Sequence, residues 1–194
     1  MECSWNEVYD FIEFSIQNCP EDCADSFCVA CNAVLERENA AYRLVAREVT
    51  EITSPEEIDA IECAIADSSR CAGVHAHLRQ ALSHLSDRKS PDYRNSIKES
   101  ISAVEALCQR ITSDANATLG KALKAIEPQI ELHPALREAF SKLYGYTSDA
   151  DGIRHAMMEE PSLSHADAQF MLVVCSAFVS LVLGKCAETG LSIP

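Results

Sequence analysis

An all-α fold is what this sequence predicts, and three observations predict it. Gly and Pro number only six and seven among 194 residues, too few turn formers for an all-β chain. Apolar residues recur at steps of three and four over long stretches, the period of an amphipathic helix. Hydrophobic residues make up 47% of the chain, enough for a sizeable core and far from a disordered composition.

The elements follow in order. Trp5, Val8, Tyr9, Ile12 and Ile16 share one face of a helix over 5–18. Pro20 suits the first turn of a second helix. This one is expected to reach about Asn39, with Phe27, Cys31, Val34 and Leu35 inward. Tyr42–Val45 and Val49–Ile52 are short and β-prone, and read as a small hairpin at 42–52 or an extended arm. Ser54-Pro55-Glu56-Glu57 predicts a helix start with Ser54 as cap and Glu57 closing a capping box. Ile58, Ile61 and Ile65 form its inward stripe. A helix over about 70–86 turns Val74, Leu78, Ala81, Leu82 and Leu85 to the core. Asp87-Arg88-Lys89-Ser90-Pro91 reads as a polar linker. Beyond it, Ile97, Ile101, Val104, Leu107 and Ile111 form the cleanest amphipath of the chain. A loop at 112–117 leads to a short helix over 118–126. Pro134 opens a helix through Tyr144, Gly145–Asp149 is expected to be a loop, and a short helix follows at 150–159. Ser164 and Asp167 form a second capping box. The run Phe170–Leu183 is apolar apart from Ser176 and Ser180. A membrane span needs roughly 20 such residues, so this helix is expected at the centre of a core, wrapped on all sides. No internal repeat or low-complexity segment is visible.

Charge divides the chain unevenly. Residues 1–69 carry three basic and 16 acidic side chains, 70–154 carry 12 and ten, and 155–194 carry one and four. The net charge of −14 opposes nucleic-acid binding by the protein as a whole, because such binding draws on phosphate neutralisation. Any RNA contact is confined to a local patch within 70–154, whereas the acidic first third suits a basic protein partner. Ten cysteines suggest a disulfide framework at first. Met1-Glu2-Cys3-Ser4-Trp5 is expected to open directly into structure without a signal peptide, and Cys28 and Cys175 sit among apolar neighbours. They read as small buried hydrophobes in a reducing cytoplasm. A cytoplasmic protein without membrane association is expected.

The commonest catalytic signatures are absent: no phosphate-binding glycine loop, no Gly-x-Ser-x-Gly elbow and no His-Glu-x-x-His. Cys19, Cys23, Cys28 and Cys31 resemble a metal knuckle in spacing. Cys23, Cys28 and Cys31 fall within a predicted helix, however, where four thiolates do not converge. The six histidines read mainly as exposed helix residues, His77 and His84 sharing a face. No metal or cofactor is expected. Asn95, Glu99 and Glu105 are either a solvated helix face or one wall of a polar pocket against the 150–159 segment.

Several strings, in order, carry a family resemblance: Pro91–Glu105, Thr118–Leu123, Phe140–Ser148 and Asp151–Ala156, together with Trp5–Phe11 through Tyr42-Arg43. They resemble bacterial abortive-infection proteins of the AbiJ type and their HEPN-like helical module. The resemblance implies a helical bundle over about 89–190, preceded by an acidic helical part over 1–88. It further implies a homodimer and a defence-associated role, either as a binding or regulatory module or as a plain oligomerisation domain. HEPN members are often metal-independent ribonucleases. They pair an Arg with a His after four to six intervening residues, the His as acid–base and the Arg on the phosphate. The candidate catalytic pair at the matching place is Arg154 and His155, which are adjacent. Neighbours on a helix diverge by about 100°, so such a site would need two subunits, unless Arg154 instead pairs with Asp149 or Asp151. Asn95, Glu99, Tyr146 and Asp149 are the candidate substrate-binding residues around it. The spacing also occurs at Arg70 with His75 or His77, and at Arg79 with His84.

Overall fold

A computed structural model describes residues 4–149 and 163–194. In chain order the elements are α1 (Trp5–Asn18), α2 (Glu21–Arg37), β1 (Arg43–Val45), β2 (Glu48–Thr50), α3 (Pro55–Asp67), a 3-10 turn at Ser68–Arg70, α4 (Ala72–Ser86), α5 (Tyr93–Thr112), α6 (Leu119–Ile126), α7 (Pro134–Asp149) and α8 (His165–Thr189). The protein is thus all-α, with one small antiparallel hairpin in which Leu44 faces Val49 and Val45 faces Glu48. The helix expected at 150–159 lies outside the described residues.

Helix ends obey local chemistry. The Ser4 N–H donates to Glu7 Oε2 at 2.8 Å, and Ser164 and Asp167 exchange bonds of 2.9 and 3.3 Å. Asp92 caps α5, accepting from the Asn95 N–H at 2.9 Å. The box expected at Ser54 is half made. Ser54 Oγ accepts from the Glu57 N–H at 3.3 Å, but the Glu57 carboxylate accepts from Gln169 on α8 at 2.7 Å. A cross-helix partner has replaced the local one.

The main core lies between α3, α4, α5, α6, α7 and α8. Both predicted stripes face into it: Leu78, Leu82 and Leu85 from α4, and Ile97, Ile101, Val104 and Leu107 from α5. Phe140 of α7 stacks on Phe178 of α8 with ring centroids 3.5 Å apart. By length and composition α8 is apolar enough to cross a membrane. In the fold it packs against α3, α4 and α5, with Leu172, Cys175, Val179 and Val182 buried. The expectation that it is wrapped on all sides is corrected: Phe170, Ala177 and Leu181 lie exposed along one side, where no described element covers them.

A second, smaller core joins α1, α2 and the hairpin through Ile16, Ala24, Leu44 and Val49. Strand alternation explains the division. Leu44 and Val49 are cross-strand partners and face the small core, whereas Val45 turns the other way into the main one. Asn32 of α2 clamps β1, its side-chain amide accepting from the Leu44 N–H at 2.7 Å and donating to the Leu44 carbonyl at 2.8 Å.

Several expectations for this region fail. Phe27 and Val34, read as inward, are exposed, as are Trp5 and Val8 of the apolar face read on α1, because the small core takes only one narrow side of each helix. Helix α2 stops at Arg37, where Asn39 takes a left-handed φ of 51°. Residues 145–149, read as a loop, continue α7 to Asp149. The Thr147 hydroxyl donates to the Tyr144 carbonyl at 2.8 Å, and Leu143 and Tyr144 pack on the main core. That tertiary anchorage outweighs the roughly 1 kcal/mol that a helical Gly costs.

Candidate functional site

Two places gather polar side chains, one on each core. The first lies between α4, α5 and α7. His77 Nδ1 sits 2.6 Å from Glu99 Oε2, with Lys98 Nζ 3.7 Å from the other oxygen. A carboxylate only accepts, so Nδ1 carries the proton and Nε2 is the opposite, free end of the ring. A carboxylate-oriented imidazole is an arrangement suited to proton transfer. Further along the same helix, Glu105 Oε1 accepts from the Tyr144 hydroxyl at 3.4 Å.

The candidate residues distribute as follows. Glu99 is buried in this polar seam. Asn95 lies on the same helix one turn earlier, but its side chain donates to Asp92 Oδ2 at 2.6 Å and so reinforces the helix cap. Tyr146 is exposed on α7, and Asp149 is the last residue of that helix. Arg154 and His155 lie outside the described residues. His77, read as an exposed helix residue, is instead held by Glu99. Helix α4 packs directly on α5, which carries the carboxylate to it from 22 positions away. No local sequence signal links the two.

The Arg-to-His spacings that start at Arg70 in the 3-10 turn and at Arg79 in α4 form no hydrogen-bonded pair among the described residues. His75 Nδ1 lies 3.0 Å from the Ile65 carbonyl. The Arg79 guanidinium donates to the Ala46 carbonyl at 2.7 Å, on the hairpin side.

The second place is centred on Arg88. Its side chain is only 8% exposed. It pairs with Asp10, donates to Glu13 at 2.9 Å and donates to the Val49 carbonyl at 3.2 Å. One residue of the polar linker thereby ties α1 to the hairpin. The hydrogen bond from Arg88 holds the Asp10 carboxyl below the usual carboxylate range. Beside this node is a cleft of about 370 Å³, lined by residues of α1, β2 and α4. Glu48 lines it. Cross-strand partners point to the same side of a hairpin, so Glu48 follows Val45 inward. Burial there pushes its carboxyl up to about 7, against a smaller opposing pull from Arg79.

Large hydrophobic side chains are also exposed around much of the circumference of α1 and α2: Trp5, Val8, Phe11 and Phe14 on α1, the last of these beside the cleft, and Phe27, Val29 and Val34 on α2. The cysteines behave as packing residues or plain thiols. The nine among the described residues are free; Cys71, Cys108, Cys175 and Cys186 are buried, while Cys23 and Cys63 are exposed, against the expectation of general burial. Burial pushes the Cys108 and Cys175 thiols to about 12, which removes them as nucleophiles at neutral pH. Cys19, Cys23, Cys28 and Cys31 do not converge, and among the described residues no group of three or more His, Cys, Asp or Glu is placed to hold a metal.

Residues 1–67, which supply α1, α2, the hairpin and α3, match the family described as AbiJ N-terminal domain 4. No curated protein matches the chain, and no solved structure does.

Proposed function

We propose that this chain, which through residues 1–67 belongs to the AbiJ-type abortive-infection family, is a defence-associated binding or regulatory module whose working surface is built from the exposed apolar side chains of α1 and α2. The supporting observation is the concentration of exposed large hydrophobics on these two helices, inside a segment with three basic and 16 acidic side chains. So many large apolar side chains left in water on two neighbouring helices offer the apolar anchors that a protein partner covers. An acidic rim around them favours a basic partner and raises its rate of encounter. The module acts in the cytoplasm as a homodimer, and the uncovered side of α8, with Phe170 and Leu181, is the surface on which two copies would meet. The test is capture of a basic, apolar-faced partner by the full chain at low and high salt. Capture that weakens with salt and is lost in Phe11→Ser/Val29→Ser supports the reading; undiminished capture by that variant rejects it.

A second reading is favoured by the His77–Glu99 pair: a metal-independent endoribonuclease of the HEPN type. In this reading Arg154 and His155 act across the dimer and the α5 seam of Asn95 and Glu99, with Tyr146 and Asp149, positions the RNA. Incubation of pure protein with labelled RNA and chelator discriminates. Cleavage that disappears in His155→Ala, and changes its pH profile in His77→Gln, establishes the nuclease. Intact RNA leaves the binding module.

A further inference from the structure

The apolar side chains of the partner surface are not all alike: at the start of α1 they become an aromatic cluster with an acid beside it. Trp5 and Tyr9 stand one turn apart on α1, and both meet Tyr42, which precedes β1. Ring centroids are 5.9 Å apart for Trp5 and Tyr9, 5.7 Å for Trp5 and Tyr42, and 5.0 Å for Tyr9 and Tyr42. Tyr9 and Tyr42 are half-buried and pack on the small core, which holds them in place. Trp5 stands 58% exposed. The acid comes from the hairpin. The register that sets Arg43 opposite Thr50 brings Tyr42 and Glu51 to the next opposed positions, which point to one side. Both line one small cleft of about 110 Å³, and burial followed by the Glu51 charge pushes the Tyr42 phenol up. Glu51 itself is exposed. Arg88, the one Arg or Lys among the described residues lining that cleft, has its own counter-ions in Asp10 and Glu13.

Ring faces beside a carboxylate suit a cation, and the ring spacing decides which. Centroids this close put the rings in mutual contact, with no gap in which a quaternary ammonium could be surrounded. A guanidinium is flat. It lies on an open indole face and turns its N–H fork to a carboxylate alongside. A stacked nucleobase would bring phosphate to a segment with three basic and 16 acidic side chains, which lacks the cations that phosphate binding needs. We propose that this cluster binds an arginine side chain of a protein partner, its guanidinium stacked on Trp5 beside Tyr42 and hydrogen-bonded to the Glu51 carboxylate. The inference rests on the partner-surface reading and narrows the partner from basic to arginine-bearing.

Trp5 is the protein's only tryptophan, so its emission reports on the site directly. The full chain is titrated with a blocked Ala-Arg-Leu-Ala-Arg-Leu-Ala peptide, with counterparts carrying lysine or citrulline in place of arginine, and with a uridine oligonucleotide. The arginine peptide should change Trp5 emission saturably. The lysine peptide should bind about fivefold or more weakly, and the citrulline peptide, which keeps the shape and loses the charge, about tenfold or more weakly. In calorimetry, Trp5→Leu and Glu51→Gln should each lower the affinity about five- to tenfold. Both positions are exposed, and circular dichroism verifies that each variant is folded. The proposal is overturned if the arginine peptide leaves the emission unchanged, if the lysine or citrulline peptide binds as tightly, if folded Glu51→Gln binds as tightly as the natural chain, or if the oligonucleotide binds in the peptide's place. Phe11→Ser/Val29→Ser leaves the cluster intact and should still take the arginine peptide. Salt-sensitive capture lost in that variant, with no preference for arginine at Trp5, rejects this inference and leaves the partner surface standing. An arginine preference at Trp5 with capture undiminished in the variant does the reverse.

Discussion

Arg88 shows how much a single side chain can carry. It is nearly buried and serves Asp10, Glu13 and the Val49 carbonyl at once. Breaking a buried ion pair costs about 3–5 kcal/mol; Asp10 and Glu13 are partly solvated, so Arg88→Met is expected to destabilise by about 2–3 kcal/mol in chemical unfolding. Arg88→Lys should recover only part of this, because an ammonium lacks the planar fork that reaches several acceptors. The help that Asp10 gives is present above its unfolded pKa and is lost as pH falls below about 4. Glu48 works in the opposite direction. Its folded pKa of about 7 lies above the ordinary 4.5, so the folded state binds the proton more tightly. Stability therefore declines as pH rises between those values and is flat beyond them. Glu48→Gln should match the natural chain near pH 4 and exceed it by on the order of 2–3 kcal/mol at pH 8, read from denaturant midpoints at the two pH values. Neither residue was legible in the sequence. Arg88 stands in a polar linker, and Glu48 gains its burial only because Val45 lies opposite it.

At the scale of elements, legibility followed anchorage. The stripes of α4 and α5 were readable because each packs on a broad apolar surface, so every third or fourth residue had to be buried. The capping box expected at the start of α8 is local and forms as local rules require. The hairpin was placed correctly although its turn breaks the usual preference: Ala46 and Arg47 both take positive φ, 46° and 72°, with no glycine. Such backbone costs roughly 1–2 kcal/mol per residue and persists because tertiary groups hold it. Glu62 accepts from the Ala46 N–H at 2.8 Å, Arg79 donates to the Ala46 carbonyl at 2.7 Å, and Arg47 pairs with Asp25 at 3.1 Å. The error at 145–149 has the converse cause: Gly145 and polar neighbours favour a loop locally, but anchored residues before them carry the helix through. This gives a direct test. A Cβ at Gly145 would meet nothing within 4 Å, so Gly145→Ala should stabilise the protein by about 1 kcal/mol. A loop at this position would yield no such gain in the unfolding midpoint.

The molecule as a whole consists of two unequal cores joined at the hairpin, and this governs its dynamics. The larger core draws on six helices; the smaller has four buried side chains, two of them from the hairpin itself. Apolar burial contributes about 25 cal/mol per Å², so α1 and α2, with one buried residue each and broad apolar faces left in water, are held weakly. Arg88 and Asn32 are the principal polar ties that keep them in place. That imbalance explains why the inward faces of α1 and α2 were misread: periodicity reports which side of a helix is apolar, not whether a partner is present to cover it. It also places the proposed partner surface on the part of the molecule most able to respond to a partner. Native-state hydrogen exchange should therefore show the amides of α1 and α2 exchanging through a partial opening well below the global unfolding free energy, while those of α5 and α8 exchange only with it. Arg88→Met should lower the first opening further and leave protection in α5 and α8 largely intact. Uniform protection across α1, α2, α5 and α8 would instead mean that the two cores open as one unit and that the Arg88 node is as strong as the bundle itself.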